Sequence, residues 1–500
     1  MKCTKYTMGR ISMKSDQTKC PLYEAHVDYV LTTLSTNFDV PGHKHGRSFP
    51  DFYKQTMGEK SLALDINSSK TMDNLSNPIG VIKEAQDLAA DLFKADSAYF
   101  LVNGSTSGIQ NMILSACNPG DKIIMPRNMH KSAINGLVLS GAIPIFIYPE
   151  IEETLGISMG MSSNLVKKTM DDHPDAKAIM LLNPTYYGYT SNIKEITDYA
   201  HEKGIAVLVD ESHGSLFALS DMFPTSGLEV GADMVTISMH KTGGSLTQSS
   251  ILFHNNGRIP SSRVRSVINL AQTSSASYLL MSSLDVARHQ LANHPENLDT
   301  LVNLSKYVRE EINKIESLYC PGEEILNYDT IYNFDLTKIV IDVSKLGYTG
   351  FQVVDMLQEE FGIQLEVGET NVALAIIGLG DTKETVDVLL EALRKFVQRY
   401  NRKKVTKYSS VNIHIPVTLR TPREAFFSQS TLVPLEQAAD QISSDQIMVY
   451  PPGIPLAIPG ELITAQMVKE FQFLLQMDSQ LIGCTFLEGK PYIRIMKEGL

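Results

Sequence analysis

From about residue 75 to about residue 275, short runs of β-branched and other apolar residues alternate with longer stretches whose apolar positions recur at helical spacing. That alternation predicts βαβ units and a mainly parallel sheet. Seven strands are expected, over residues 98–102, 122–125, 144–147, 178–182, 206–209, 234–238 and 250–253. Each is short and largely apolar, buried in character as a strand covered on both faces must be. Many lead into a loop of Gly, Asn, Pro, Ser or His, and ligands of open α/β sheets gather outside those carboxyl ends.

The pattern changes on either side of this region. Residues 1–74 read as an N-terminal arm, in which Asp39-Val40-Pro41-Gly42-His43-Lys44-His45-Gly46 is too rich in Pro and Gly for regular structure. Beyond a large domain over residues 75–280, a helical stretch at 284–315 leads into strands at 339–343 and 373–377 and helices at 350–360 and 382–400. These predict a smaller α+β domain over 281–404. Asn401-Arg402-Lys403-Lys404 reads as a linker or simply a solvated charge run. A C-terminal domain over 405–500 then carries the loop Tyr450-Pro451-Pro452-Gly453-Ile454-Pro455. Three units suit a chain of 500 residues, which exceeds one ordinary hydrophobic core.

Charge narrows the range of partners. Forty-four basic residues against 56 acidic ones give a net charge of −12, with no long basic run, which argues against nucleic acid or an anionic membrane. The five cysteines are scattered without a C-x-x-C pair, so neither a disulfide framework nor a zinc site is indicated. His43 and His45 form an H-x-H pair without further ligands, and no metal is expected. The N-terminus lacks an apolar signal core and the apolar runs are too short to span a bilayer, so a cytoplasmic location is expected.

The chemistry is concentrated at strand ends. The strand at 206–209 runs into Asp210-Glu211-Ser212-His213-Gly214, and 31 residues beyond Asp210 stands Lys241, in Ser238-Met239-His240-Lys241-Thr242-Gly243-Gly244. A strand-end Asp followed by a strand-end His-Lys is similar to the site of a pyridoxal 5'-phosphate enzyme. Lys241 would form the Schiff base and Asp210 would pair with the pyridine nitrogen, making the ring an electron sink for a bond broken at Cα. Alone, such an Asp serves equally as a helix cap or metal ligand.

A phosphate cradle is available in Val102-Asn103-Gly104-Ser105-Thr106-Ser107-Gly108, between a strand and a helix, although the string also suits a plain N-cap turn. Ser105, Thr106 and Ser107 would offer hydroxyls, and Ser238 another. His130, after the strand at 122–125, could stack on the ring, with His213 beside the ring or carrying a proton.

Together with Pro41-Gly42-His43-Lys44, Arg127-Asn128-x-His130-Lys131-Ser132, Asn183-Pro184-Thr185-Tyr186-Tyr187-Gly188, Gly243-Gly244-Ser245-Leu246-Thr247-Gln248-Ser249-Ser250 and Gln272-Thr273-Ser274-Ser275, these motifs resemble the Orn/Lys/Arg decarboxylase family in its short bacterial form. The resemblance is dense from about residue 37 to about residue 290 and thinner beyond. It implies an aspartate aminotransferase-like α/β fold with a smaller α+β domain and a C-terminal domain. It also implies a dimer or higher homo-oligomer with active sites shared between subunits.

By the same matching, Lys241 carries the cofactor, Asp210 pairs with the pyridinium, His130 stacks, and Ser105, Thr106, Ser238 and His240 hold the phosphate. His213 lies close to the ring, Lys241 or His213 returns the proton to Cα, and Thr273 and Ser274 are candidates for the partner subunit's contribution. Ser212 stands where the family's motif usually has Ala, and Ala276 where Pro is common.

The implied reaction is decarboxylation of a basic amino acid, with arginine giving agmatine favoured over lysine giving cadaverine or ornithine giving putrescine. A PLP-binding homologue without turnover is the alternative of a different class. Glu461, with Asp65 or Asp73 behind it, is the candidate carboxylate for the substrate's basic end.

Overall fold

The computed structural model describes residues 15–33, 36–402, 416–449, 453–476 and 481–497. The N-terminal hexapeptide, Cys3, Lys403, Lys404 and the Tyr450-Pro451-Pro452 part of the C-terminal loop lie outside the described residues.

Seven strands form one sheet: β1 (Ser97–Leu101), β2 (Lys122–Pro126), β3 (Ile143–Ile147), β4 (Ala178–Leu182), β5 (Ala206–Asp210), β6 (Met234–Ile237) and β7 (Ser250–His254). Every strand end lies within one residue of its expected position. The order is β1-β7-β6-β5-β4-β2-β3. Only β7 runs against its neighbours; the other pairs are parallel.

Successive residues of a strand face opposite sides of the sheet. In the fully buried β5, Val207 and Val209 therefore join one apolar core while Ala206 and Leu208 join the other. Burying each of the larger aliphatic side chains contributes about 1.5–3 kcal/mol. This double coverage by helices explains why the strands read as apolar runs rather than alternating ones.

The reversed β7 lies between β1 and β6, so those two strands end at the same edge of the sheet. The helix following β1, α1 (Gly104–Ala116), settles close on the sheet. A Cβ at Gly108 would stand 2.2 Å from Thr236 Oγ1 of β6, so only glycine permits that approach.

The stretch at 284–315 is not one helix, as expected, but two, Tyr278–Asn293 and Glu296–Ile312. Pro295 divides them, since its ring cannot continue the preceding hydrogen-bond ladder. The N-terminal region also contains a helix, Pro21–Asp28, held against the first of these. Leu22 N–H donates to Asp285 Oδ2 at 2.9 Å, and Arg288, fully buried with Asp285, donates to Gln17 O at 2.9 Å. The Pro/Gly-rich segment 39–46 contains neither helix nor strand.

Beyond these helices, Lys338–Asp342, Val372–Ile376 and Val367–Gly368 form a three-stranded antiparallel sheet. Helices Gly350–Phe361 and Lys383–Tyr400 accompany it, each started by a threonine capping box, at Thr349 and Thr382. Residues 416–497 contribute further antiparallel strands and the helix Ala465–Gln476 around a core that includes Leu435, Ile447, Phe471 and Ile493.

The last unit is joined to the large sheet by charge. Arg127, just past β2, donates from Nε to Glu461 Oε1 at 3.1 Å and from Nη2 to Oε2 at 2.9 Å, with both side chains buried. Arg127 Nη1 also donates to Pro455 O at 2.6 Å. Removing one partner of such a pair leaves an uncompensated buried charge. Glu461→Ala is therefore expected to lower stability by about 3–5 kcal/mol in urea unfolding. Arg127→Met combined with Glu461→Leu should recover most of that loss.

Candidate functional site

The carboxyl ends of β1, β2, β4, β5 and β6 surround a cavity of about 370 Å³. Strand β5 delivers Asp210, whose backbone still pairs in the ladder with Thr236 of β6 and Leu182 of β4. The turn after it brings Ser212 and His213 to the wall. Strand β6 ends at Ser238, and the helical turn Met239–Gly243 carries His240 and Lys241 around to the same space. His130 arrives from the loop after β2 as the N-cap of helix Lys131–Ser140. The β1–α1 turn supplies Asn103, Gly104, Ser105 and Thr106.

Lys241 Nζ and His213 Nε2 are 2.8 Å apart, within one hydrogen bond. Lys241 opens into the cavity, yet the protein crowded around its amine lowers its pKa by desolvation. Asp210 and Glu366 oppose that shift and Lys338 adds to it. Desolvation also holds the buried His213 well below its ordinary range, reinforced by the charges of Lys241 and Lys338. His130 is lowered to about 4, first by desolvation and then by Lys241 and Lys131. Its ring is held through Nδ1, which accepts from Ser132 N–H at 3.2 Å and lies 2.8 Å from Ser132 Oγ.

Burial raises the pKa of Asp210, while hydrogen bonds from Ser212 and the charge of Lys241 work against that rise. Ser212 donates to Oδ1 from its backbone N–H at 3.1 Å and from its hydroxyl at 2.5 Å. At the other side of the cavity, Ser105 Oγ and Ser238 Oγ are hydrogen-bonded at 2.7 Å. Gly104, at φ +69°, makes the turn into α1 and donates to Gln248 O at 2.8 Å. The first N–H groups of a helix have no intrahelical acceptor and attract anions. The set therefore combines an amine that deprotonates readily, a buried carboxylate and an anion-binding helix end.

Of the residues expected at the site, Ser105, Thr106, His130, Asp210, His213, Ser238, His240 and Lys241 line this one cavity. Ser107 does not; its hydroxyl donates back to Gly104 O at 2.8 Å. Thr273 and Ser274 are exposed and stand outside the wall. Glu461 is fully buried in its pair with Arg127 and is not part of the wall. Asp73 accepts backbone N–H groups from Ile79, Gly80 and Ile82, and Asp65 pairs with His43, so neither reaches the cavity.

A model of the Orn/Lys/Arg decarboxylase major domain matches residues 20–385, and one of that family's C-terminal domain matches residues 406–485. The chain belongs to the Orn/Lys/Arg decarboxylase family. Within it, the chain is 41% identical over 456 residues to an arginine decarboxylase of Bacillus subtilis, covering 91% of this chain and 93% of that protein. It is 42% identical over 448 residues to an arginine decarboxylase of Bacillus cereus, covering 89% and 97%. In structure it is similar to the Francisella novicida lysine decarboxylase LdcF, with a TM-score of 0.82 at 20% identity, over 95% of this chain and 81% of that one.

This decarboxylase-family cavity has walls that the motifs did not announce. Tyr186, Thr247 and Gln248 lie within strings that carried the resemblance, without a role assigned to them. Ile454 comes from the C-terminal unit, and Glu366 from the segment just before the short strand Val367–Gly368. Tyr186 donates its phenol to Glu366 Oε1 and packs its ring edge-on against His213, 4.7 Å between centroids. No motif surrounds Glu366 in the sequence; only the packing of the smaller sheet brings it here.

Behind Asp210, burial pushes Glu211 up to about 8, although Asn183, Ser226 and Gly227 all donate to its carboxyl group. The folded chain therefore retains a proton that the unfolded chain releases above about 4.5. The stabilising contribution is full below that value and lost as pH rises through about 8. Glu211→Gln should lose less stability than the wild type over that window. The difference should grow by up to about 1.4 kcal/mol per pH unit in urea unfolding series.

Proposed function

We propose that this chain is a pyridoxal 5'-phosphate-dependent decarboxylase that converts L-arginine to agmatine and CO2. The reading is carried by the cavity itself, where Lys241, Asp210 and the Ser105–Ser238 pair surround one space. It is supported by family membership and by the arginine decarboxylases at 41% and 42% identity.

The residues present fit the cofactor. Lys241 would hold it covalently, and Asp210, held through Oδ1 by Ser212, would pair with the pyridine nitrogen. Ser105, Thr106, Ser238, His240 and the first N–H groups of α1 would hold the phosphate. His130, neutral and with its Nδ1 engaged, presents a flat ring suited to stacking. When bound, pyridoxal phosphate supplies an electron sink for the pair released from a bond at the substrate's Cα.

The chain's own side chains govern proton delivery and the placing of the substrate. Lys241 Nζ and His213 Nε2, 2.8 Å apart, hold a proton between two weakened bases, and either can deliver it to Cα once CO2 has left. Glu366 is the acid that meets the substrate's guanidinium, steadied by Tyr186. Orientation of the Cα–carboxylate bond relative to the ring selects decarboxylation over other Cα chemistry.

We further propose a homodimer in the cytoplasm. No described helix is long and apolar enough to cross a membrane. The exposed Thr273 and Ser274 adjoin Leu270, 81% exposed, on a surface suited to a second subunit. Among the described residues no His, Cys, Asp or Glu cluster suits a metal ion.

CO2 release measured separately with arginine, lysine and ornithine is expected to be fastest with arginine; a preference for either other substrate overturns that assignment. Glu366→Gln should raise KM for arginine about tenfold, the order of one lost charged hydrogen bond. The purified protein should be yellow with pyridoxal phosphate, and Lys241→Ala should remove the colour. A colourless wild type that cannot be reconstituted overturns the cofactor assignment.

A further inference from the structure

Lys338 is an unusual residue to find where it is. It begins the smaller sheet, outside the cavity wall, and its side chain is completely buried. Burying an ammonium group is costly unless all its protons are satisfied. Here Nζ donates to Asp335 Oδ2 at 2.9 Å, to Thr337 Oγ1 at 3.4 Å and to the backbone oxygen of His213 at 3.3 Å.

The surroundings are arranged around that lysine. Asp335 keeps its other oxygen for Thr337, accepting from N–H at 2.9 Å and from the hydroxyl at 2.7 Å. Gly188, at φ +94°, lies against the lysine's stem, and a Cβ there would stand 2.9 Å from Lys338 Cβ and Cγ. Asp335 N–H closes the contact by donating to Gly188 O at 2.8 Å. An apolar side chain of similar length would fill the volume, but it could neither grip the His213 carbonyl nor bring a charge there.

We propose that Lys338 is a positioning residue for the His213–Lys241 pair, fixing the backbone of His213 from behind and setting its cation beside both groups. The inference rests on Lys241 as the cofactor-holding lysine only for its significance in turnover. The groups facing Lys241 are Asp210, Glu366, His213 and Lys338, with His130 close by, and those facing His213 are Lys241, Lys338, His130, His240 and the phenol ring of Tyr186. Asp210 and Glu366 favour the charged amine, so the cation of Lys338 is a counterweight to them.

The test measures the proton affinity of Lys241 directly, by the pH dependence of its acetylation with acetic anhydride in the full chain, read by peptide mass spectrometry. Lys338→Met should raise the midpoint by about one pH unit, and Lys338→Arg, which keeps the cation, should leave it near the wild-type value. The double variant Asp335→Asn/Lys338→Met removes the unpaired acid and should still raise the midpoint. In protein loaded with pyridoxal phosphate, the midpoint of the visible absorbance titration should move the same way.

A folded Lys338→Met or double variant with a wild-type midpoint overturns the proposal, as does failure of both neutral variants to fold, which would make Lys338 a purely structural residue. A wild type that forms no borohydride-reducible adduct at Lys241 overturns the cofactor reading instead, while the acetylation midpoints still decide the role of Lys338.

Discussion

Asp210 is a carboxylate at the end of a central strand buried on both faces, and the rest of the cavity is organised around making that position tolerable. A lone ionised carboxylate there would neutralise itself by taking a proton. The backbone N–H and hydroxyl of Ser212 fix Oδ1, and the positive potential of Lys241 favours the charged form. Parallel strand order then does the gathering: with β5 in the middle, the loops after β4 and β6 must pass beside Asp210. The reversed β7 lets β1 end at the same edge as β6, so that the β1–α1 turn brings Ser105 within a hydrogen bond of Ser238.

The other two units are not appendages to this sheet. The smaller one sends Glu366 into the cavity and Lys338 behind it, and Tyr186 fastens the large sheet's loop to Glu366. Its neighbour Tyr187 does the same to Glu369, donating at 2.8 Å. Two consecutive tyrosines thus tie two acids of one short segment to the loop after β4. The C-terminal unit contributes Ile454 to the wall and is held by the buried Arg127–Glu461 pair. That pair explains why an acid so plausible for a basic substrate is already occupied.

Legibility in the sequence followed the range of the interaction. All seven strands could be read because each is a largely apolar run, six of them mostly buried and the edge strand β3 half-buried. Asp210, Lys241, His130 and Ser238 could be placed at one sheet edge because each stands at or shortly after the end of such a run. The break at Pro295 was available in the sequence, but helical periodicity on both sides concealed it. Glu366 and Lys338 left no local signal. Glu366 lies beside a strand of only two residues, and Lys338 looks like a polar strand start. Their meaning comes from packing between units, where no spacing rule applies. Glu461 was misread for the same reason, since only the fold reveals that Arg127, more than 300 residues earlier in the chain, takes both its oxygens.

The electrostatics of the cavity also bear on how an anionic cofactor and a cationic substrate end could share it. His130, His213, His240 and Lys241 are all pushed toward their neutral forms, desolvation leading in every case. Oriented dipoles are at hand to meet a phosphate: hydroxyls of Ser105, Thr106 and Ser238 and N–H groups opening α1. Dipoles satisfy an anion without repelling a guanidinium nearby, as a cluster of lysines or arginines would. Glu366 lines the same space, where on the proposed reading it would favour that guanidinium. Bases pushed toward neutrality, hydroxyl and N–H dipoles and an acid thus meet around one space of about 370 Å³, a combination suited to an anion and a cation side by side.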